Sequence, residues 1–376
     1  MNNNAIVYKE IEDIQLAKEV LRHPSFGVIR MDQYLEKLQE LTKEDLGLLI
    51  RFSKKSLIFQ SGESHIESRR LIAHFFSHRE VQRWRDSIGN IVEDIMADHT
   101  SNDIEVLSDF SDPLFVSSMI MVMGIQVKEE DLFLEHIKIA KAITEPLLSK
   151  KRLRRIQISL EYLINLVKES FKEKDYEEQS FLSHIKNKIE KPWDKYEELH
   201  ILVVSLIIAA HTFSETFVII MSKLASPMND LWSKTKDFEW LNKRIDAFIR
   251  LYPTTQSIGR RVIKDCNILN TQFQKNEIVY IKVPIVNRNP IFTDEEDILS
   301  GTEEIKCPFS HVSFGGGIHK CPGASLSRMI FMEAFSILAS KFPEFVLTKP
   351  LNTKNVSFMV SIPSDLQARL KLMSDI

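Results

Sequence analysis

Phe309-Ser-His-Val-Ser-Phe-Gly-Gly-Gly-Ile-His-Lys-Cys-Pro-Gly-Ala324 is the stretch from which the chain is read, and Cys321 is its chemical centre. Gly315, Gly316 and Gly317 lack the Cβ that forbids positive φ, so the main chain can turn sharply there and approach another group closely. Pro322 suits the first turn of a helix, and Ser325 to Ala339 carries apolar residues at helical spacing. Cys321 is thereby placed at a helix N-terminus. Main-chain N–H groups and the positive end of the helix dipole favour a thiolate at such a position, which makes it a nucleophile or a metal ligand.

Several chemistries compete for this cysteine. It could be an inert thiol in a glycine-rich turn. Cys307, His311, His319 and Cys321 are suitable zinc ligands by type, but their spacing follows no common finger pattern. A phosphate-binding loop would need a Gly-Lys-Ser/Thr ending, which is missing. A thiolate that holds a haem iron is the remaining reading.

Phe314-Gly-x-Gly-x-His-x-Cys-x-Gly323, followed by a helix, resembles the haem-binding signature of the cytochrome P450 family at every fixed position. The resemblance implies Cys321 as the axial thiolate and metal ligand, with haem b (iron protoporphyrin IX) as cofactor. It places His319 near a haem propionate and Phe314 beside the sulfur. Gly315, Gly317 and Gly323 give the backbone room to donate hydrogen bonds that tune the thiolate.

The rest of the chain is compatible with that fold. Its 376 residues contain no linker, internal repeat or low-complexity run, and 44% hydrophobic residues can bury a large core, so one domain over 1–376 is expected, with 1–10 outside it as a disordered start. Nothing at the N-terminus resembles a secretory signal, and the longest apolar run, Ile201 to Ala210, is too short to span a bilayer. Three cysteines suit a reducing, cytoplasmic compartment, and a net charge of -3 gives no reason to propose nucleic acid. By the resemblance the fold is mainly α with a small β portion, with haem between the long central helix and the helix after Cys321.

Other landmarks follow in chain order. His65 and Arg69 lie four apart on one helical face, which by itself suits a solvated surface. They are similar to the family's His-x-x-x-Arg helix, which implies that both bind haem carboxylates. Arg70, Arg79, Arg83 and Arg85 form a basic stretch that suits either solvent or an acidic electron donor of ferredoxin or flavodoxin type. Lys150 to Arg155 reads as a solvated helix face. Asp109 to Ile125 is a helix in which Met119, Met121 and Met123 fill the core.

Leu199 to Leu224 is apolar nearly all round and therefore buried, although Ala209-Ala-His-Thr-Phe-Ser-Glu-Thr216 interrupts it. The resemblance makes this the central helix, with Thr212 as the oxygen-activating threonine and His211 where an acid is normal. His211 then becomes the proton donor, with Ser214 or Glu215 as alternatives if the alignment slips.

A second departure concerns the Glu-x-x-Arg helix. Arg250 is present, but Ala247 stands where the Glu belongs, and Asp297 lies where an arginine is expected after Asn287-Arg-Asn-Pro290. A buried guanidinium needs compensation, so Asp246 or Asp297 is expected to pair with Arg250. Gly259-Arg-Arg-Val-Ile-Lys-Asp265 is similar to the strand whose arginine, here Arg260, meets a propionate.

These landmarks imply a haem-thiolate monooxygenase, belonging to secondary metabolism by family-level expectation. Its substrate would be a small apolar molecule, free or tethered to a carrier protein, and its electrons would come from separate redox proteins. The alternatives are a P450-fold haem protein without monooxygenase activity, which the missing partners of Arg250 favour, or a peroxide-driven oxygenase.

Overall fold

Ile14–Arg22 shows how local sequence sets this architecture. Asp13 caps it by accepting from Leu16 N, and Ile14, Ala17, Val20 and Leu21 form its buried stripe. It stops where His23 turns extended before Pro24, as expected of a residue that precedes proline. In this computed structural model the described residues are 8–99, 103–145, 148–172, 179–189, 196–226, 229–301, 305, 311–348, 351–354, 362–364 and 367–371. The chain is 62% helical with small sheets, as expected.

Two units are distinguishable by their internal contacts. One comprises Met1–Ile29, Arg85–Ser111 and Thr212–Ile376. Its main sheet joins Tyr8–Ile11 in parallel to Ile278–Lys282, which pairs antiparallel with Ser257–Val262, which in turn takes Phe26–Gly27. Tyr8, Lys9 and Glu10, expected within a disordered start, instead pair along the strand with Ile278, Val279 and Tyr280. Ile11, Val20, Leu21, Val262, Val279, Ile281 and Val312 share one apolar cluster under this sheet. Val312 ties the start of the cysteine loop into that core.

In the same unit, Thr212–Leu224 packs on Ala324–Lys341 through stacked aromatic rings. Phe213 lies 4.7 Å from Phe331 and Phe217 lies 4.5 Å from Phe335, centroid to centroid. The helix that carries Thr212 and the helix that follows Cys321 are thus in direct contact.

The other unit comprises Arg30–Trp84 and Asp112–His211 and is helical. Asp112–Met123, Glu130–Lys141, Lys150–Ser170 and Glu197–Ala210 are its main helices. Met119 and Met123 are buried and Met121 is half-buried, in line with their reading as core residues. The basic run at Lys150 is a solvated face, as expected, with surface ion pairs from Arg154 Nε and Nη2 to Glu44 and from Arg152 to Glu145.

Val106–Met123 and Glu197–Leu224 are each long and apolar enough to cross a bilayer, which the short run at Ile201 did not foretell. Their apolar windows are 61% and 83% buried within the protein, as in core helices.

Phe217 is fully buried against Phe110, Phe331 and Phe335. Phe217→Ala should lower stability by about 3–5 kcal/mol in a urea titration, and a loss below about 1 kcal/mol would contradict this packing.

Candidate active site

The loop before Cys321 is folded by its own main chain. Gly315 N donates to Val312 O at 2.8 Å, Cys321 N to Phe314 O at 2.8 Å, and Lys320 N to Gly317 O at 3.2 Å. Gly315 and Gly317 adopt φ of +67° and +62°, in the left-handed region. At Gly317 a Cβ would lie 2.2 Å from the carbonyl oxygen of Leu21, so this glycine fits by close approach as well as by torsion. The curl leaves the Cys321 thiol exposed.

The helix after the loop begins later than expected. Ala324 is its first residue and Gly323 its N-cap, so Cys321 and Pro322 precede it. Proline tolerates a first turn but does not impose one, and a Cβ at Gly323 would meet Cys321 Sγ only at an ordinary contact distance of 3.9 Å.

Behind the loop, Arg250 is almost wholly buried and is anchored by main-chain carbonyls. Nη1 donates to Asn287 O at 2.7 Å and Nη2 to Thr293 O at 2.6 Å, while the guanidinium lies over the Phe292 ring. Asn287 extends the clamp: its amide donates to Arg250 O and Ser313 Oγ, and its carbonyl accepts from Val312 N. Neither Asp246 nor Asp297 pairs with Arg250, contrary to expectation. Asp297 belongs to a short exposed helix, where its main-chain N–H meets Asp294.

Asp246 instead accepts from Arg328 Nε at 2.5 Å and lies 3.5 Å from His311 Nε2. Burial pushes the Asp246 carboxyl up, but its bonds to His311 and Arg328 outweigh this and bring it down to about 2. Burial keeps His311 below its usual value. Arg328 also lies over the Phe314 ring, and His311 packs against it. This group braces the aromatic residue that opens the signature.

Arg260 has one hydrogen bond, to the adjacent carbonyl of Gly259, and no acidic partner among the described residues. Burial pushes its pKa down to about 10. An uncompensated buried cation in the unit that holds an exposed cysteine is what a dianionic, iron-bearing ligand would satisfy. These two features fit haem. Of the residues that could hold zinc, His311 is committed to Asp246 and Ser313, and Cys307 lies outside the described residues.

His65 is buried and Arg69 half-buried, on Gly62–Ala73 of the other unit. Burial, with the nearby Arg69 charge, takes His65 down to about 4, so at neutral pH its ring is uncharged. In the basic stretch, Arg83 already binds Glu80 and Gln179 O, and Arg85 binds Glu333.

The central helix breaks at the expected interruption. Glu197–Ala210 ends, His211 stands between, and Thr212–Leu224 begins. Thr216 Oγ1 bonds back to Thr212 O at 2.8 Å and meets Thr254 Oγ1 at 2.9 Å, so two hydroxyls gather at the first carbonyl after the break. His211 Nε2 lies 3.3 Å from Asp112 Oδ1.

Residues 220–364 match the Cytochrome P450 family profile. The biotin biosynthesis cytochrome P450 of Bacillus subtilis is 24% identical over 80% of this chain and 76% of its own length. The polyketide biosynthesis cytochrome P450 PksS of the same organism is 25% identical over 90% and 86%. Among solved structures, P450BioI in complex with an acyl carrier protein ligated to hexadec-9Z-enoic acid superposes with a TM-score of 0.83, at 21% identity, over 96% of this chain and 92% of that one. CalO2 gives a TM-score of 0.83 at 18% identity, covering 96% and 90%. Over most of its length the chain is thus similar to bacterial cytochromes P450, and residues 220–364 carry that family's profile.

Asp246 has a depressed pKa, so its pairing contributes stability that is full above the ordinary carboxyl value of 3.8 and is lost as pH falls towards about 2. The stability difference between wild type and Asp246→Asn, from urea titrations, should be constant from pH 7 to 5 and close by about pH 2. A difference that is the same at both ends would remove the ion pair from this account.

Proposed function

We propose that this protein is a haem-thiolate monooxygenase acting on a small apolar molecule in secondary metabolism. The observation that carries the reading is the exposed Cys321 thiol, wrapped by a glycine loop in the same unit as the acid-free Arg260. Bound haem would supply the oxygen-activating redox chemistry. Cys321 would give its thiolate to the iron, with Gly315, Gly317 and Gly323 letting the main chain close around the sulfur. Arg260 and His319 would hold the carboxylates of haem b, joined on the family pattern by Arg69 as a cation and His65 as a neutral donor.

Thr212 would hydrogen-bond the reacting oxygen, and His211 would supply protons. Their placement at the helix break supports this, because a break leaves room and polar groups beside an otherwise apolar helix. Electrons would come from a separate ferredoxin or flavodoxin, and the protein would work in the cytoplasm. A carrier-tethered substrate is supported by the similarity to P450BioI, which forms a complex with an acyl carrier protein bearing hexadec-9Z-enoic acid.

The reduced protein under carbon monoxide should show the red-shifted Soret band from which the family takes its name, and Cys321→Ser should lose it. A wild-type protein that takes up haem without that band would overturn the thiolate reading.

A further inference from the structure

Asp112 opens the helix Asp112–Met123, and its carboxylate is buried. One oxygen, Oδ2, receives Lys138 Nζ at 2.5 Å. The other, Oδ1, faces His211 Nε2 at 3.3 Å, where both side chains are only 3% exposed. Lys138 belongs to Glu130–Lys141 and is 44% exposed, so the chain of contacts runs from solvent through a buried acid to the histidine at the helix break.

Phe115, on the same face as Asp112, meets the imidazole edge-on, with centroids 5.1 Å apart and planes at 87°. Among the described residues, one carboxylate and one aromatic side chain thus lie against the ring. Burial opposes the carboxylate's charge, but the bond to His211 and the charges of His211 and Lys138 outweigh it and bring Asp112 down to about 2.

We propose that Asp112, anchored by Lys138, is the positioning residue for His211: it holds the imidazole by Nε2 and sustains its protonated form, so that a proton is given up from Nδ1. The inference rests on the monooxygenase reading for the fate of that proton. In the step, the Nδ1–H bond breaks and the proton passes to the oxygen atom that becomes water. The imidazole keeps its Nε2–H towards Asp112, and solvent water returns a proton to Nδ1. The charged groups from the packed helices are Asp112 and Lys138; along the chain the next is Glu215, and Phe115 adds no charge.

The test is the titration of His211 in full-length, haem-loaded protein labelled with nitrogen-15 at histidine, with the signal assigned by His211→Gln. Asp112→Asn should lower the His211 midpoint by about one pH unit or more, and Asp112→Glu should restore most of it. Lys138→Met, at a partly exposed position that should fold, should raise the midpoint by removing a neighbouring cation. In turnover, product per NADPH should fall about tenfold or more in Asp112→Asn, with the carbon monoxide spectrum intact.

A His211 titration unmoved by Asp112→Asn or by Lys138→Met would overturn the proposal and leave Asp112 as a structural partner of Lys138. The titration can be read whether or not product forms, so failure of the monooxygenase reading is seen separately.

Discussion

The cysteine loop depends on a buried guanidinium. Arg250 is surrounded by protein on all sides, and an isolated cation in such a place would cost several kcal/mol. Two carbonyl dipoles and the face of Phe292 supply the compensation. Because these acceptors are main-chain atoms of Asn287 and Thr293, Arg250 fixes the path of the chain there, and Asn287 passes that constraint to Val312 and Ser313. The signature begins at the next residue. These two bonds hold backbone in place from a helix in which Ala247 stands where an acid is usual.

The space that the missing acid leaves does not go unused. Asp246, one position earlier, turns towards Arg328 and His311, and these cations and rings pack around Phe314. The Ile245–Leu251 helix thus reaches the loop twice, through Arg250 by hydrogen bonds to main chain and through Asp246 by charge. With Leu21 O pressed close to Gly317 and Val312 in the sheet core, the loop is held by several independent contacts. A thiolate presented in a fixed position is what such bracing achieves, since a metal ligand 1 Å out of place is a poor one.

The sequence made some of this legible. The turn glycines answer to a local rule, positive φ and close approach, whereas Arg260 was reached only through the family resemblance. Met119 followed from helical periodicity, and the burial of Leu199 to Leu224 from its being apolar nearly all round. The partner of Arg250 could not be read, because carbonyl oxygens belong to every residue and leave no signal in side-chain identity. Asp112 was invisible as a site residue for a different reason: its partners Lys138 and His211 lie far along the chain, and only packing of their helices brings them together. The late start of the helix after Pro322 shows the limit of a propensity that permits a boundary without fixing it.

The two departures from the family pattern share a physical logic. At position 247 an acid is lost, and the cation it served is met by dipoles while a neighbouring acid finds a different arginine. At position 211 an acid is replaced by a group that can carry the opposite charge, and a carboxylate from another helix lies beside it. A histidine buried without that carboxylate would be held neutral by desolvation. Asp112 sets a carboxylate 3.3 Å from that ring, and Lys138 holds its other oxygen. If the imidazole carries the proton of the reaction, this buried acid is what turns the exchange at 211 from a loss of the usual chemistry into another way of performing it.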